Sequence, residues 1–469
     1  MSGTAGGMMA QTIAATDAGQ QRANQLAGQQ QAEWPAAWRG WLLVALLALA
    51  SIVSQFDRTV INLMVEPIKA EFGLNDTAFG ALQSVAFGIF YVLACIPLGR
   101  MADNHSRKHL IAICLFFWSL FACASGLARS YAMLFLTRIG VAVGEASLTP
   151  AGLSMLADHF PPEKLGRPVS GFLMSAPMGQ GLAFIGGGGL LTMLAGSSLI
   201  NGGMLNGFAP WQAAFLIVGA PGLLLVPLFL LCREPARRSA APQQGEAPAV
   251  AEPALPARDV AALVGERWRA LVPMFVGFAM VLLVAYSVTI WAPALFQRSY
   301  GWNPAQIGLG FGLALIIAGT AGVYVAGLLS DMLAARGHRD APLKVAAGGF
   351  AIGGLCGTLA PLMPSGELAL ALLAATLFFC NMPFPCAATS LQLIVPNRAR
   401  AQVSAIYVTF TTLVGLSVGP TVIGLMTDYV FRDPADIRYS MAVVIGIAAP
   451  VMVVMMLLAM PAYRRFRGE

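Results

Sequence analysis

The sequence predicts an all-α membrane protein: twelve transmembrane helices in two six-helix bundles related by a pseudo-two-fold repeat. Three observations carry that prediction. The 469 residues are 57% hydrophobic and only 11% charged, where a soluble domain carries roughly 25% charged residues, and the mean hydropathy is +0.72. Twelve apolar runs are each long enough to cross a bilayer, which takes ~20 residues as a helix. A long polar stretch divides them six and six, and a Gly-x-x-x-Asp pattern with basic residues follows both the second and the eighth run.

In chain order, residues 1–33 are rich in Gln, Ala, Gly, Ser and Thr without an apolar run, so a disordered tail is expected. No basic segment there leads into an apolar core and a cleavage site, so no signal peptide is expected. Trp34, Trp38 and Trp41 mark the first membrane interface. The spans follow at about 38–67, 77–99, 109–128, 131–158, 167–195, 211–232, 269–296, 304–330, 342–362, 368–395, 401–430 and 440–461. Residues 34–233 form the N-terminal bundle and 269–469 the C-terminal one. Between them, 234–268 is rich in Ala, Pro, Glu and Gln and reads as a flexible tether.

Lys and Arg set the orientation. With the N-terminus inside, 21 of them fall on inner connections and ends, against 5 outside: Lys69, Arg129, Arg298, Arg432 and Arg438. Both termini are therefore expected in the cytoplasm. The halves echo each other. Gly99 to Asp103, then Arg107 and Lys108, follow span two; Gly327 to Asp331, then Arg336 and Arg339, follow span eight. Two repeated bundles can rock about a central site and expose it to either side in turn.

Several function classes fall away. The seven Cys are scattered in apolar runs with no Cys-x-x-Cys pair, and the four His show no metal-ligand spacing, so neither metal nor cofactor is expected. No nucleophile elbow or phosphate loop stands out, which argues against an enzyme; Gly186 to Gly189 reads as helix packing. The net charge of +6 lacks a soluble basic domain to bind nucleic acid.

What remains is charge inside spans one and four: Asp57, Arg58, Arg138 and Glu145. Arg138 and Glu145 are seven residues apart, about two turns or ~10 Å, and share nearly one face. Either would cost a few kcal/mol against lipid, so that face must look into protein or a water-filled cavity. Counted from the outer ends of their spans, Asp57 lies between Arg138 and Glu145 in depth. Arg58 points about 100° away from Asp57 and could face another helix.

Gly99 to Lys108 resembles the loop pattern of the major facilitator superfamily, departing from it at Asn104 and Ser106, and the likeness extends over residues 34–469. Within that superfamily the chain resembles the spinster-like branch. Asp57-Arg58, Arg138 to Ala146, Asp158 to Pro162, Val395 to Gln402 and Gly419-Pro420 carry that resemblance. It implies a bacterial inner-membrane secondary transporter that works as a monomer: a proton-coupled carrier of lysophospholipids or sphingoid lipids. In that fold spans one and four line the central cavity, so Asp57, Arg58, Arg138 and Glu145 become one cluster of zero net charge. Glu145 or Asp57 is then the proton carrier, and Arg138 the counter-ion that a movement or an anionic substrate group takes away. The resemblance also makes Asp103 a cap on the N-terminus of span eleven. Arg107 pairs with Asp158 as a gate, and Asp331 plays the second copy against span five.

Candidate substrate contacts are Arg58, Arg138 and Gln180 in the N-terminal half and Tyr286, Trp291, Asn381 and Tyr407 in the other. A charged half facing an apolar, aromatic half suits an amphiphile. A small organic anion or sugar acid anchored by Arg138 is the competing reading, and a non-transporting sensor or scaffold the remote one.

Overall fold

The computed structural model describes residues 36–161, 164–197, 206–235 and 256–467. The expected tail, 1–33, and most of the expected tether lie outside the described residues. Among the described residues, twelve helices are long and apolar enough to cross a membrane. Spans one to six are Ala37–Phe72, Asp76–Asn104, Arg107–Ser125, Tyr131–His159, Gly166–Ala195 and Pro210–Leu231. Spans seven to twelve are Trp268–Tyr300, Pro304–Ala335, Ala341–Leu362, Gly366–Ile394, Arg398–Phe431 and Pro434–Phe466. The end of the expected tether is not coil but a short helix, Ala257–Glu266.

Local chemistry sets the ends of the spans. Asn75, Ser106, Ser130, Asn303 and Ser365 each accept a bond from a backbone N–H of the first turn of the span they precede. Spans one and seven both stop at a glycine in the left-handed region, Gly73 (φ 63°) and Gly301 (φ 67°). Each is followed two residues later by the capping asparagine, Asn75 or Asn303. The repeat thus recurs in the turn chemistry of both halves.

It recurs in helix irregularities too. Spans two and eight each contain a π-helical turn, Val85–Ile89 and Leu315–Gly319. Span four breaks between Glu145 and Leu148, and span ten between Asn381 and Pro383. Such breaks bend a helix and re-aim its side chains.

The halves meet along spans two and eleven and along spans five and eight. A methyl group on Gly188 would sit 2.2 Å from the Pro304 carbonyl oxygen, and one on Gly308 2.2 Å from that of Phe184. Spans five and eight therefore touch backbone to backbone there, as only glycine allows. This contact lies toward the end of the bundle opposite the chain termini, called here the far end.

Salt bridges and caps also close the far end. Arg298 of span seven makes a two-pronged bond to Asp76, both at 2.7 Å, and a further one to Glu66 at 2.7 Å. Lys69 also pairs with Asp76. The Asp428 carboxylate accepts from the Asp76 amide (3.1 Å) and the Thr77 amide (2.6 Å), capping span two from span eleven.

Candidate functional site

Span one carries its charges at the end of its α-helical part, Ala37–Thr59, just before a 3-10 turn, Val60–Met64. Span four carries its own between Tyr131 and the break after Glu145. Gly144 lets span four lie against span three: a methyl there would come 2.6 Å from the Trp118 Cβ. That close approach turns the charged face of span four toward span one.

The four charges do meet. Asp57 and Arg138 are fully buried, and Glu145 nearly so. The pairing differs from the expected one. Arg58 binds Glu145, through Nη2 at 2.6 Å and Nε at 3.1 Å to the same Oε2. Arg138 instead donates from Nη1 to the Asp57 carbonyl oxygen at 3.2 Å. Arg138 makes no bond to Glu145, two helical turns or ~10 Å away along the axis. Arg58 reaches across from the neighbouring span and takes the carboxylate.

What is left over is chemically open. Both Asp57 carboxylate oxygens, Glu145 Oε1, and Arg138 Nε and Nη2 have no hydrogen-bond partner among the described residues. Buried polar atoms are ordinarily satisfied, and functional sites are the usual exception.

Phe87 lies close to both cations. Its ring centroid lies 4.2 Å from the Arg58 guanidinium carbon and 5.7 Å from that of Arg138. Tyr91 stacks on it at 5.7 Å and also faces Arg58, at 5.1 Å. Phe87 belongs to the π-helical turn of span two. Its negative ring face allows two guanidiniums to come near each other at lower cost.

Arg58, Arg138 and Gln180 line a small space together with Asn62, Gln83 and Phe87; Tyr286, Thr289, Ile290 and Leu416 close it from the C-terminal half. Gln83 donates to Asn62, and Asn62 to the Thr289 carbonyl at 3.4 Å. Sequence reasoning assigned no role to Asn62, Gln83, Phe87 or Tyr91. The signal existed: Gln83, Phe87 and Tyr91 recur every four residues, on one helix face.

Three expected substrate contacts lie elsewhere. Trp291 is fully buried, donates to the Pro420 carbonyl at 2.9 Å and meets Phe79 edge-on at 6.0 Å. Its large ring fills the crossing of spans two, seven and eleven. Asn381 donates to the Leu377 carbonyl of its own helix at 2.5 Å. Tyr407 packs on Phe275 and Phe278, with centroids at 5.5 and 6.0 Å. None of the three lines the space between the halves.

The expected gate residues divide as well. Arg107 is buried and bonds Asp158, the Ser154 hydroxyl (3.0 Å) and Glu234 Oε1 (3.2 Å). Ser154 and Asp158 belong to span four and Glu234 follows span six directly, so this knot ties spans three and four to the end of span six. Burial alone would raise the Glu234 carboxyl; bonds from Ser106 and Arg107 outweigh it and hold it below the usual range. Asp103 and Asp331 are exposed. Asp103 caps nothing among the described residues.

In the C-terminal half the corresponding knot uses Asp340, before span nine, and Arg464, at the end of span twelve, at 2.8 and 2.6 Å. Burial would raise the Asp340 carboxyl, but Arg464 and Lys344 hold it below its ordinary range.

Comparison with known proteins agrees with this architecture. The family model for the Major Facilitator Superfamily matches residues 47–420. An MFS-type efflux pump of Mycolicibacterium smegmatis is 29% identical over 91% of this chain and 94% of its own. A probable L-galactonate transporter of Escherichia coli is 26% identical over 82% of each. Human protein spinster homolog 1 is 28% identical, covering 84% of this chain and 74% of that one. A solved bacterial homolog of the human lysosomal transporter Spinster, inward-facing and unoccupied, superposes with a TM-score of 0.76 at 23% identity, over 92% of this chain and 98% of that one. The chain belongs to the Major Facilitator Superfamily and is a membrane transporter rather than an enzyme.

Proposed function

We propose that this chain is a spinster-like, proton-coupled secondary transporter of an amphiphilic, lipid-like substrate of lysophospholipid or sphingoid type. It works by alternating access in a bacterial inner membrane, with both termini in the cytoplasm. The observation that carries this reading is the cluster of buried Asp57, Arg138 and Glu145 with half-buried Arg58, set against a space between the halves. A carboxylate without a donor can take up a proton, and a guanidinium edge without an acceptor can take up an anionic headgroup. Ile290 and Leu416, opposite, offer apolar contact to the start of a tail. Far-end closure by Arg298, Asp76 and Asp428 agrees with a state open toward the termini.

A second reading keeps the mechanism and changes the cargo. The small space and the open edge of Arg138 also suit a small organic anion or sugar acid, and one relative is a probable L-galactonate transporter. A thermal-shift screen of the purified protein separates the two. Lysophospholipids, sphingoid bases, sugars and aromatic acids are compared at two pH values, because a ligand of the folded state raises apparent stability. The lipid reading expects a shift with lysolipid that changes with pH and vanishes in Arg138→Ala. A shift with small acids alone replaces it with the second reading.

A further inference from the structure

We propose that each half holds the phosphate headgroup of an anionic phospholipid in a recess at the termini-bearing end, built from the start of its first span and the end of its last. In the N-terminal half a recess of about 420 Å³ lies among Trp38, Arg39, Leu231 and Arg233. In the C-terminal half one of about 720 Å³ lies among Trp268, Arg269, Leu458 and Arg465. They occupy the same place in the repeat. A Trp-Arg pair opens spans one and seven, and an arginine stands at or just past the end of spans six and twelve. The side chains repeat as well: the guanidinium carbon lies 5.4 Å from the Trp38 ring centroid for Arg39, and 5.6 Å from that of Trp268 for Arg269.

Each group suits one part of an anionic lipid. Indole settles at headgroup depth. A guanidinium resting on that ring has less freedom to lose and offers its fork to a phosphate. Leu231 and Leu458, 79% and 58% exposed, continue from the recess onto the membrane-facing surface, where acyl chains run. Free phosphate would use the arginines and leave these leucines idle, so the lipid is the occupant. Each recess also holds one carboxylate, Glu234 in the first and Glu266 in the second. Two arginines against one carboxylate leave each recess net positive. This inference does not depend on which cargo the protein carries.

The test is native mass spectrometry of the full chain in detergent, titrated with phosphatidylglycerol or phosphatidylcholine. Wild type is expected to retain phosphatidylglycerol preferentially, up to two copies. Arg39→Gln with Arg233→Gln should lose one copy, weakening it roughly fivefold per arginine removed. Arg269→Gln with Arg465→Gln should lose the other copy. Lys164→Gln with Arg167→Gln removes equal charge at the same end outside both recesses and should change nothing. Should a double variant fail to fold, Arg39→Gln and Arg233→Gln are read singly. Equal retention of both lipids overturns the proposal. So does unchanged binding in the arginine variants, or an equal loss in the Lys164 and Arg167 control, which would mean bulk surface charge.

Discussion

The two halves are one six-helix design built twice, and they differ in where they keep charge. The N-terminal half buries Asp57, Arg138 and Glu145 in mid-span, with the half-buried Arg58 beside them. Among the described residues the charges that the C-terminal half buries, Asp340 and the Arg298 side chain, lie at its two edges. At the termini-bearing end both halves tie the start of their third span to the end of their sixth by an ion pair, but with opposite polarity. Arg107 meets Glu234 in one half, and Asp340 meets Arg464 in the other. The repeat therefore requires a tie at that place without dictating its sign. Mid-span charge is not required by the repeat at all, which is why it carries the proposed function.

The comparison can be broken most sharply at the quartet. Arg58→Ala leaves Glu145 buried without its partner and should cost about 3–5 kcal/mol, as loss of one member of a buried pair does. The double variant Arg58→Ala/Glu145→Ala should cost less than that single one in a denaturation series. Glu145→Gln should abolish proton-driven accumulation in proteoliposomes. Tyr286→Phe, on the opposite wall, should alter affinity and leave proton coupling intact. Coupling lost equally in both would remove the functional contrast between the halves.

The two ties come next. Arg107, almost fully buried, should cost about 3 kcal/mol as Arg107→Ala. The Arg464 side chain is 53% exposed, and Arg464→Ala should cost at most ~1 kcal/mol. Reversing the second pair, Asp340→Arg with Arg464→Glu, should recover most of what Asp340→Arg alone loses in thermal stability. No recovery would mean that polarity matters there after all.

A smaller effect compares the two ends of the helix pair formed by spans two and eleven. Asp428→Asn weakens a cap worth ~1 kcal/mol and should raise far-end labelling of a single engineered cysteine in a cysteine-free background, by roughly fivefold. Asp103→Asn should leave far-end labelling of this state unchanged. The smallest effect is in pH. The Asp340 carboxyl is held low, so its pair contributes fully above the ordinary carboxylate range, and that contribution is lost as pH falls through the lowered value. Wild type should lose slightly more thermal stability than Asp340→Asn over that acid window.

Much of the fold was legible in the residues. Each apolar run is its own signal, since a bilayer demands ~20 residues and every backbone group must bond within the helix. The repeat was legible more deeply than the Gly-x-x-x-Asp echo suggests: Gly73-Leu74-Asn75 and Gly301-Trp302-Asn303 are the same turn. At the site, the charges, Gln180 and Tyr286 were reachable from span and depth. Trp291, Asn381 and Tyr407 were not, because aromatic and amide side chains in a span serve packing as readily as binding. The helix face that meets the cavity is set by neighbouring helices.

The sequence by itself determined the span count, the two-fold plan and the depth of every charge, because rise per residue and bilayer thickness are local constraints. Only the tertiary structure decided that Arg58 takes Glu145, that Arg138 keeps an open edge, that Phe87 lies against two guanidiniums and that Asp428 caps a helix of the other half. Those pairings depend on which helices adjoin and at what rotation. Contacts such as Gly144 on Trp118 and Gly188 on Pro304 set both, between residues far apart in the chain.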